Sequence, residues 1–126
     1  MQNFSLVVVG RDERGTSAVE FAHVAPVFIL LVIGTIFVCI QLFLVGSLKY
    51  AVEEGARCAS VKTTICADST SIVTYTRNHY FGPSAAPTFT YTAASCGNSV
   101  SASLNYVVNL GMMELTLPVT ASACYP

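Results

Sequence analysis

The chain has 126 residues, of which 53% are hydrophobic and 10% charged, with a formal net charge of −1. Soluble domains carry about 25% charged residues, so this composition argues against a freely solvated domain and for a membrane anchor or an assembly that covers apolar surface. The near-zero net charge supplies no basic field for nucleic acid, and the sequence holds no glycine-rich phosphate loop, HExxH or CxxC motif.

Residues 1–15 read as a leader. A short apolar patch, Leu6 to Val9, precedes a charged cluster, Arg11 to Arg14, which ends at Gly15. A secretory signal peptide has a different order: a positive start, a short apolar run and a small-residue cleavage site after it. Here the apolar run is too long, the carboxylate of Glu20 stands directly before it, and no Ala-x-Ala site is evident after Leu48.

From Phe21 to Leu48 there is no Asp, Glu, Lys or Arg. A bilayer core of about 30 Å requires roughly 20 apolar helical residues, so this run, residues 21–48, is long enough to span. Thr16 or Ser17 is the expected N-cap of its helix. Pro26 falls near the start, where a helix tolerates it best, and the carbonyl it frees must find another partner in lipid. Arg11 and Arg14 before the span nearly balance Lys49 and Arg57 after it, so the positive-inside rule alone sets no orientation. Cys58, Cys66, Cys96 and Cys124 all follow the span, an even set that suits an oxidising compartment. The C-terminal part is therefore placed outside the cytoplasm. Cys39, in mid-span, reads as a small apolar filler.

The helical pattern continues beyond the span. Glu53 and Arg57 are four apart in the favourable order. Ala51, Gly55 and Ala59 form a small-residue stripe that admits close approach of another helix, from a neighbouring chain or from the protein's own head. The helix is expected over 16–66, stopping between Val61 and Ala67, where β-branched residues cluster and Asp68, Ser69 and Ser71 offer new N-caps.

The head, 67–126, begins with a short helix carrying Ile72, Val73, Tyr75 and Tyr80 and ended at Gly82-Pro83. Thr88 to Thr92 then alternates as a half-buried strand. Ser95 to Asn98 reads as a turn, Val100 to Val108 as a second strand, Asn109 to Gly111 as a break, and Glu114 to Ala123 as a third strand. Pro118 lacks a ladder donor, which makes this strand an edge or a bulged one. The expected fold class is α+β: a long N-terminal transmembrane or packing helix with a small head of one short helix and a three-stranded antiparallel sheet. Tyr75, Tyr80, Phe81, Phe89, Tyr91 and Tyr106 are read as its core, with a subunit-contact patch as the alternative.

A head of this size is marginal from burial alone, which favours disulfide staples. An unbroken helix would hold Cys58 and Cys66 about 12 Å apart, too far for a bridge. That pair therefore requires the helix to break between them. Cys96, in the first turn, and Cys124, after the third strand, fall at the same end of a meander. Of three possible connectivities, Cys58–Cys66 with Cys96–Cys124 is the expected one.

Enzymatic chemistry is not expected. Of the two histidines, His23 lies near the membrane and His79 on the short helix, and a grouping such as Ser71, His79 and Asp68 carries no information in so serine-rich a chain. No cofactor or metal site is expected.

The remaining question is why Glu20 stands at the mouth of the apolar run. Scission between Gly15 and Thr16 would create an α-amino group on Thr16, with a reference pKa of about 8. Thr16 and Glu20 lie at i and i+4 of one helix face, so the new ammonium meets the carboxylate in the same chain or, in a stacked bundle, in the next one. Either pairing lowers the cost of a charge at the membrane boundary and fixes axial register.

The stretch ERGTSAVEFAHVAPVFILLVIG resembles the TadE-like family of the tight-adherence (Flp-type) pilus system. Gly15, Ala18 to Ala22 and Ala25-Pro26 carry the match, with Glu53 to Arg57 similar to the family's segment after the helix. The resemblance implies a minor pilin or pseudopilin. A membrane prepilin peptidase would cleave it after Gly15, leaving Thr16 as the mature N-terminus. Glu20 would serve recognition or assembly, and Phe21 would open the packing helix. It further implies a bacterial inner-membrane protein with its head in the periplasm, hetero-oligomeric partnership with other pilins and assembly proteins, and a role in surface attachment. Asp12 and Glu13 dilute the basic charge usual in such leaders, and His23 takes a position that is more often apolar. The alternative is an uncleaved single-pass protein whose head binds a partner.

Overall fold

A computed structural model of the chain describes residues 13–83, 86–109 and 111–126, with side chains from Ser17 onward. Most of the leader, including Leu6 to Val9 and Arg11-Asp12, lies outside the described residues, as does Leu110 in the expected break. The elements are α1 (Glu13–Val61), α2 (Ser69–Asn78), β1 (Thr88–Ala94), β2 (Gly97–Asn109) and β3 (Glu114–Tyr125). The fold is α+β: a long apolar helix, a short helix and an antiparallel sheet of order β1-β2-β3.

α1 begins upstream of the expected caps. Thr16 and Ser17 lie inside the helix, which already includes Glu13 and Arg14, both good helix formers. Pro26 is consequently an interior residue and leaves the carbonyl four residues before it without its helical donor. At the other end the chain doubles back through a tight turn. The Lys62 amide donates to Cys58 O at 2.9 Å, and the Ile65 and Cys66 amides both donate to Lys62 O at 2.9 Å. This turn brings the Cα atoms of Cys58 and Cys66 to 5.9 Å, and the two are bridged.

Asp68 caps α2 in a reciprocal box. The Ser71 amide donates to its carboxylate at 2.7 Å, and its own amide donates to Ser71 Oγ at 3.1 Å. α2 stops at Asn78, short of Gly82-Pro83. The amides of His79 and Tyr80 turn to the carbonyls three residues back, Thr76 and Arg77, at 3.1 and 3.2 Å, which closes the last turn.

β2 pairs with β3 one to one from Asn98↔Tyr125 to Asn109↔Glu114, with Pro118 opposite Asn105. Pro118 therefore sits on an edge strand with no bulge, as a residue without a donor can. Gly97 and Gly111, at the two turns, take φ of 121° and 82°, a region open to glycine. The same turn end brings Cys96 to Cys124, Cα to Cα 6.3 Å, in the second disulfide.

The described chain divides into two compact units, one ending at Val38 and the other running from Cys39 to Pro126. In the second, Leu44, Leu48, Ala51, Val52 and Ala56 form a helical stripe that is fully buried with Phe89, Val100, Leu104 and Val119 of the sheet. The stripe of small residues faces the protein's own head: a side chain on Gly55 would run into Thr76 of α2. Tyr75, Tyr80, Tyr91 and Tyr106 pack against this core, but Phe81 does not belong to it and is 66% exposed. The opposite sheet face is polar, with Thr88, Ser103 and Thr120 in one row and Thr90, Ser101 and Ser122 in the next.

Candidate functional site

The candidate site is the first part of α1. Its backbone is helical from Glu13, so Gly15, Thr16 and Glu20 stand on continuous helix, and Thr16 and Glu20 share a face. The Glu20 side chain is exposed, and Phe21 is 73% exposed. Beyond it, Val24, Val27, Phe28, Leu30 and Leu31 are also exposed. A helix that is apolar all round requires lipid or other helices about it. α1 is long and apolar enough to cross a membrane, and only 6% of its most apolar window is buried within the chain.

Two polar side chains inside the run bond to their own helix. His23 Nδ1 lies 3.1 Å from Val19 O, and Thr35 Oγ1 donates to Leu31 O at 2.8 Å. Such local bonds make a hydroxyl or imidazole tolerable in an apolar surrounding. Cys39 is free and exposed.

The head holds its own polar clamp. Ser60 Oγ accepts from Asn98 Nδ2 at 2.9 Å and lies 3.2 Å from Tyr125 O, while Tyr91 Oη donates to Asn98 Oδ1 at 2.6 Å. These contacts fasten the turn end of the sheet to the last turn of α1. Nearer the apolar run, the Phe81 amide donates to the buried Ser47 Oγ at 3.0 Å, and the Phe81 ring lies 6.1 Å from that of Tyr50. Sequence reasoning missed this pairing. A serine one residue before the end of the uncharged run, Ser47, was the available signal.

Three titratable groups of the head are held by local structural contacts. Asp68 is held below the ordinary carboxylate range by the Ser71 amide and hydroxyl. Lys62 is raised by its hydrogen bond to the Tyr75 hydroxyl, 3.0 Å away. Burial raises Tyr80, whose hydroxyl is packed against Gly82 and has no partner among the described residues. Ser71 and Asp68 are occupied with each other at the start of α2, whereas His79 lies at its far end, with Nδ1 2.8 Å from Tyr75 O. The three do not converge. Among the described residues no group of His, Cys, Asp and Glu is placed to hold a metal ion.

No curated protein and no solved structure matches the chain. Residues 15–57, which run from the glycine through the apolar helix to Arg57, match the family described as TadE-like protein.

Proposed function

We propose that the chain is a minor pilin or pseudopilin of a tight-adherence pilus, cleaved between Gly15 and Thr16 by a prepilin peptidase. The observation that carries this reading is the Gly15-to-Glu20 spacing set directly before an uncharged helix whose apolar side chains from Phe21 to Phe43 are largely exposed. The TadE-like match over residues 15–57 supports a role in that pilus system and association with a membrane and pilus components. In this reading α1 anchors the precursor in the inner membrane and the disulfide-bonded head lies in the periplasm. The trimmed helix then packs with those of other pilins in a hetero-oligomeric assembly that serves surface attachment. The Thr16 ammonium answers the Glu20 carboxylate, which sets axial register.

The test is the mature N-terminus. Mass spectrometry of the chain from cells with an active prepilin peptidase is expected to find Thr16 first; intact Met1 would reject processing. One observation favours the uncleaved alternative: α1 includes Glu13 and Arg14, so the Gly15–Thr16 bond lies within helix and must unwind before a peptidase can grip it. The same measurement decides between the two.

A further inference from the structure

The most exposed apolar side chains of the head lie at one end, although Ile65, Phe81 and Tyr125 are also exposed elsewhere. Around the turn between β2 and β3, Met112 is 101% exposed and Met113 71%, with Val107 and Leu115 exposed beside them. Further along, the outward face of the sheet carries the polar rows Thr88, Ser103, Thr120 and Thr90, Ser101, Ser122. Glu114 is the only charged residue after Arg77, so this tip has no basic cluster to draw anionic groups.

The position of the tip follows from the strand lengths. The other end of β2 and β3 is fixed at Ser60 by Asn98 and Tyr125. Leu44, Leu48, Ala51, Val52 and Ala56 are buried with residues of the sheet, so the sheet runs back along α1 rather than past Val61. β2 has 13 residues, which at ~3.3 Å each reach about 40 Å. The same helix needs only about 30 Å to return from Ser60 to Ile40, at 1.5 Å per residue. Even a strongly inclined sheet therefore brings the tip to the level of Ile40 to Phe43. Leu42 and Phe43 are exposed at that level, and Phe81 is tied just above it through Ser47.

The lipid boundary falls at the same place. Within the uncharged run 21–48, the roughly 20 residues that a bilayer core needs, counted from Phe21, reach Ile40, and from Leu44 onward one face of the helix is covered by the head. We infer that the β2–β3 tip, through Met112 and Met113, dips into the outer acyl region of the bilayer beside α1. The inference rests on the reading that α1 crosses a bilayer.

The chain has no tryptophan, so single replacements report without background. Full-length chain carrying Met113→Trp, Met112→Trp, Thr90→Trp or Ile33→Trp is reconstituted in phosphatidylcholine vesicles with acyl chains brominated at shallow or deep positions. Both tip variants are expected to emit in the blue and to be roughly halved by shallow bromines. Ile33→Trp is expected to be quenched by deep bromines, and Thr90→Trp to be water-like and unquenched. Unquenched tip variants beside a quenched Ile33→Trp would overturn the inference and leave the span standing. Loss of quenching at Ile33 would overturn the span and the inference together. A blue shift at the tip that grows with protein-to-lipid ratio, without bromine quenching, would assign the tip to a second copy of the chain and overturn its insertion in lipid.

Discussion

Gly55 of α1 and Thr76 of α2 meet with no room for a Cβ between them. Thr76 is fully buried, with its hydroxyl donating to Ile72 O at 2.8 Å, so it cannot swing aside without losing a partner. Ordinarily Gly→Ala within a helix gains about 1 kcal/mol. Here overpacking of ~1–3 kcal/mol opposes that gain, and Gly55→Ala is expected to destabilise the head. Adding Thr76→Ala should recover most of the loss. Thermal unfolding of the two variants checks this, and a stabilised single variant would mean that the helices do not touch at this point.

The two disulfides differ in burial, and they should differ in reactivity. Cys58 and Cys66 are 1% and 4% exposed, whereas Cys96 and Cys124 are exposed. Exchange requires a thiolate to reach a sulfur. A mild reductant is therefore expected to open Cys96–Cys124 first, leaving Cys58–Cys66 intact until the head unfolds. Stepwise reduction with alkylation and peptide mapping gives the order, and simultaneous opening would show that the buried bridge is no better shielded.

Much of this head was legible in the sequence because its signals are local. The alternation of Thr88 to Thr92 marks β1, and the β-branched run before Cys66 marks where α1 stops. What escaped depended on competition or on distance. Thr16 and Ser17 looked like caps, yet Glu13 and Arg14 extend the helix past them. Gly82-Pro83 looked like the end of α2, yet three-residue bonds close it at Asn78. Ala51-Gly55-Ala59 suited a foreign helix as well as α2, and only the packing of Thr76 decides. Phe81 counted as core by type, but its amide is held by Ser47 while its ring stays outside. In the candidate site, the Gly15-to-Glu20 spacing and the uncharged run were plain in the sequence. The exposed tip at Met112 and Met113 was not, because its meaning depends on how far the hairpin reaches back along the helix.

Asp68 gives a pH dependence with a definite sign. Its folded pKa is depressed below the ordinary 3.8 by the Ser71 amide. A depressed carboxylate contributes stability that is present above its unfolded value and lost as pH falls through the folded one. The cap's contribution should therefore be complete at neutral pH and fade below about pH 4. Asp68→Ala is expected to lower the unfolding temperature at pH 7 and to lie closer to the parent in strong acid. Asp68→Asn, which keeps an acceptor for the Ser71 amide, should fall between them. Unfolding curves across pH 2–7 test this; a difference independent of pH would remove the charge from the explanation.

Glu20 is exposed on α1 and shares a helix face with Thr16. If its role is to answer the Thr16 ammonium in an assembled bundle, the two steps separate cleanly. Glu20→Ala should still yield chains that begin at Thr16, because the scissile bond is untouched. Incorporation should fall. An exposed ion pair is worth about 0.2–1 kcal/mol, and an apolar boundary raises that value. A loss of only ~1.4 kcal/mol per contact is a factor of about ten in association. Roughly tenfold less chain is therefore expected in sheared pili, with the missing material retained in the membrane fraction, and Glu20→Asp should restore part of it. Quantitative immunoblotting of the two fractions reads the outcome. Undiminished incorporation of Glu20→Ala would leave the carboxylate as no more than a favourable charge near the helix start, with the register set by the apolar surface alone.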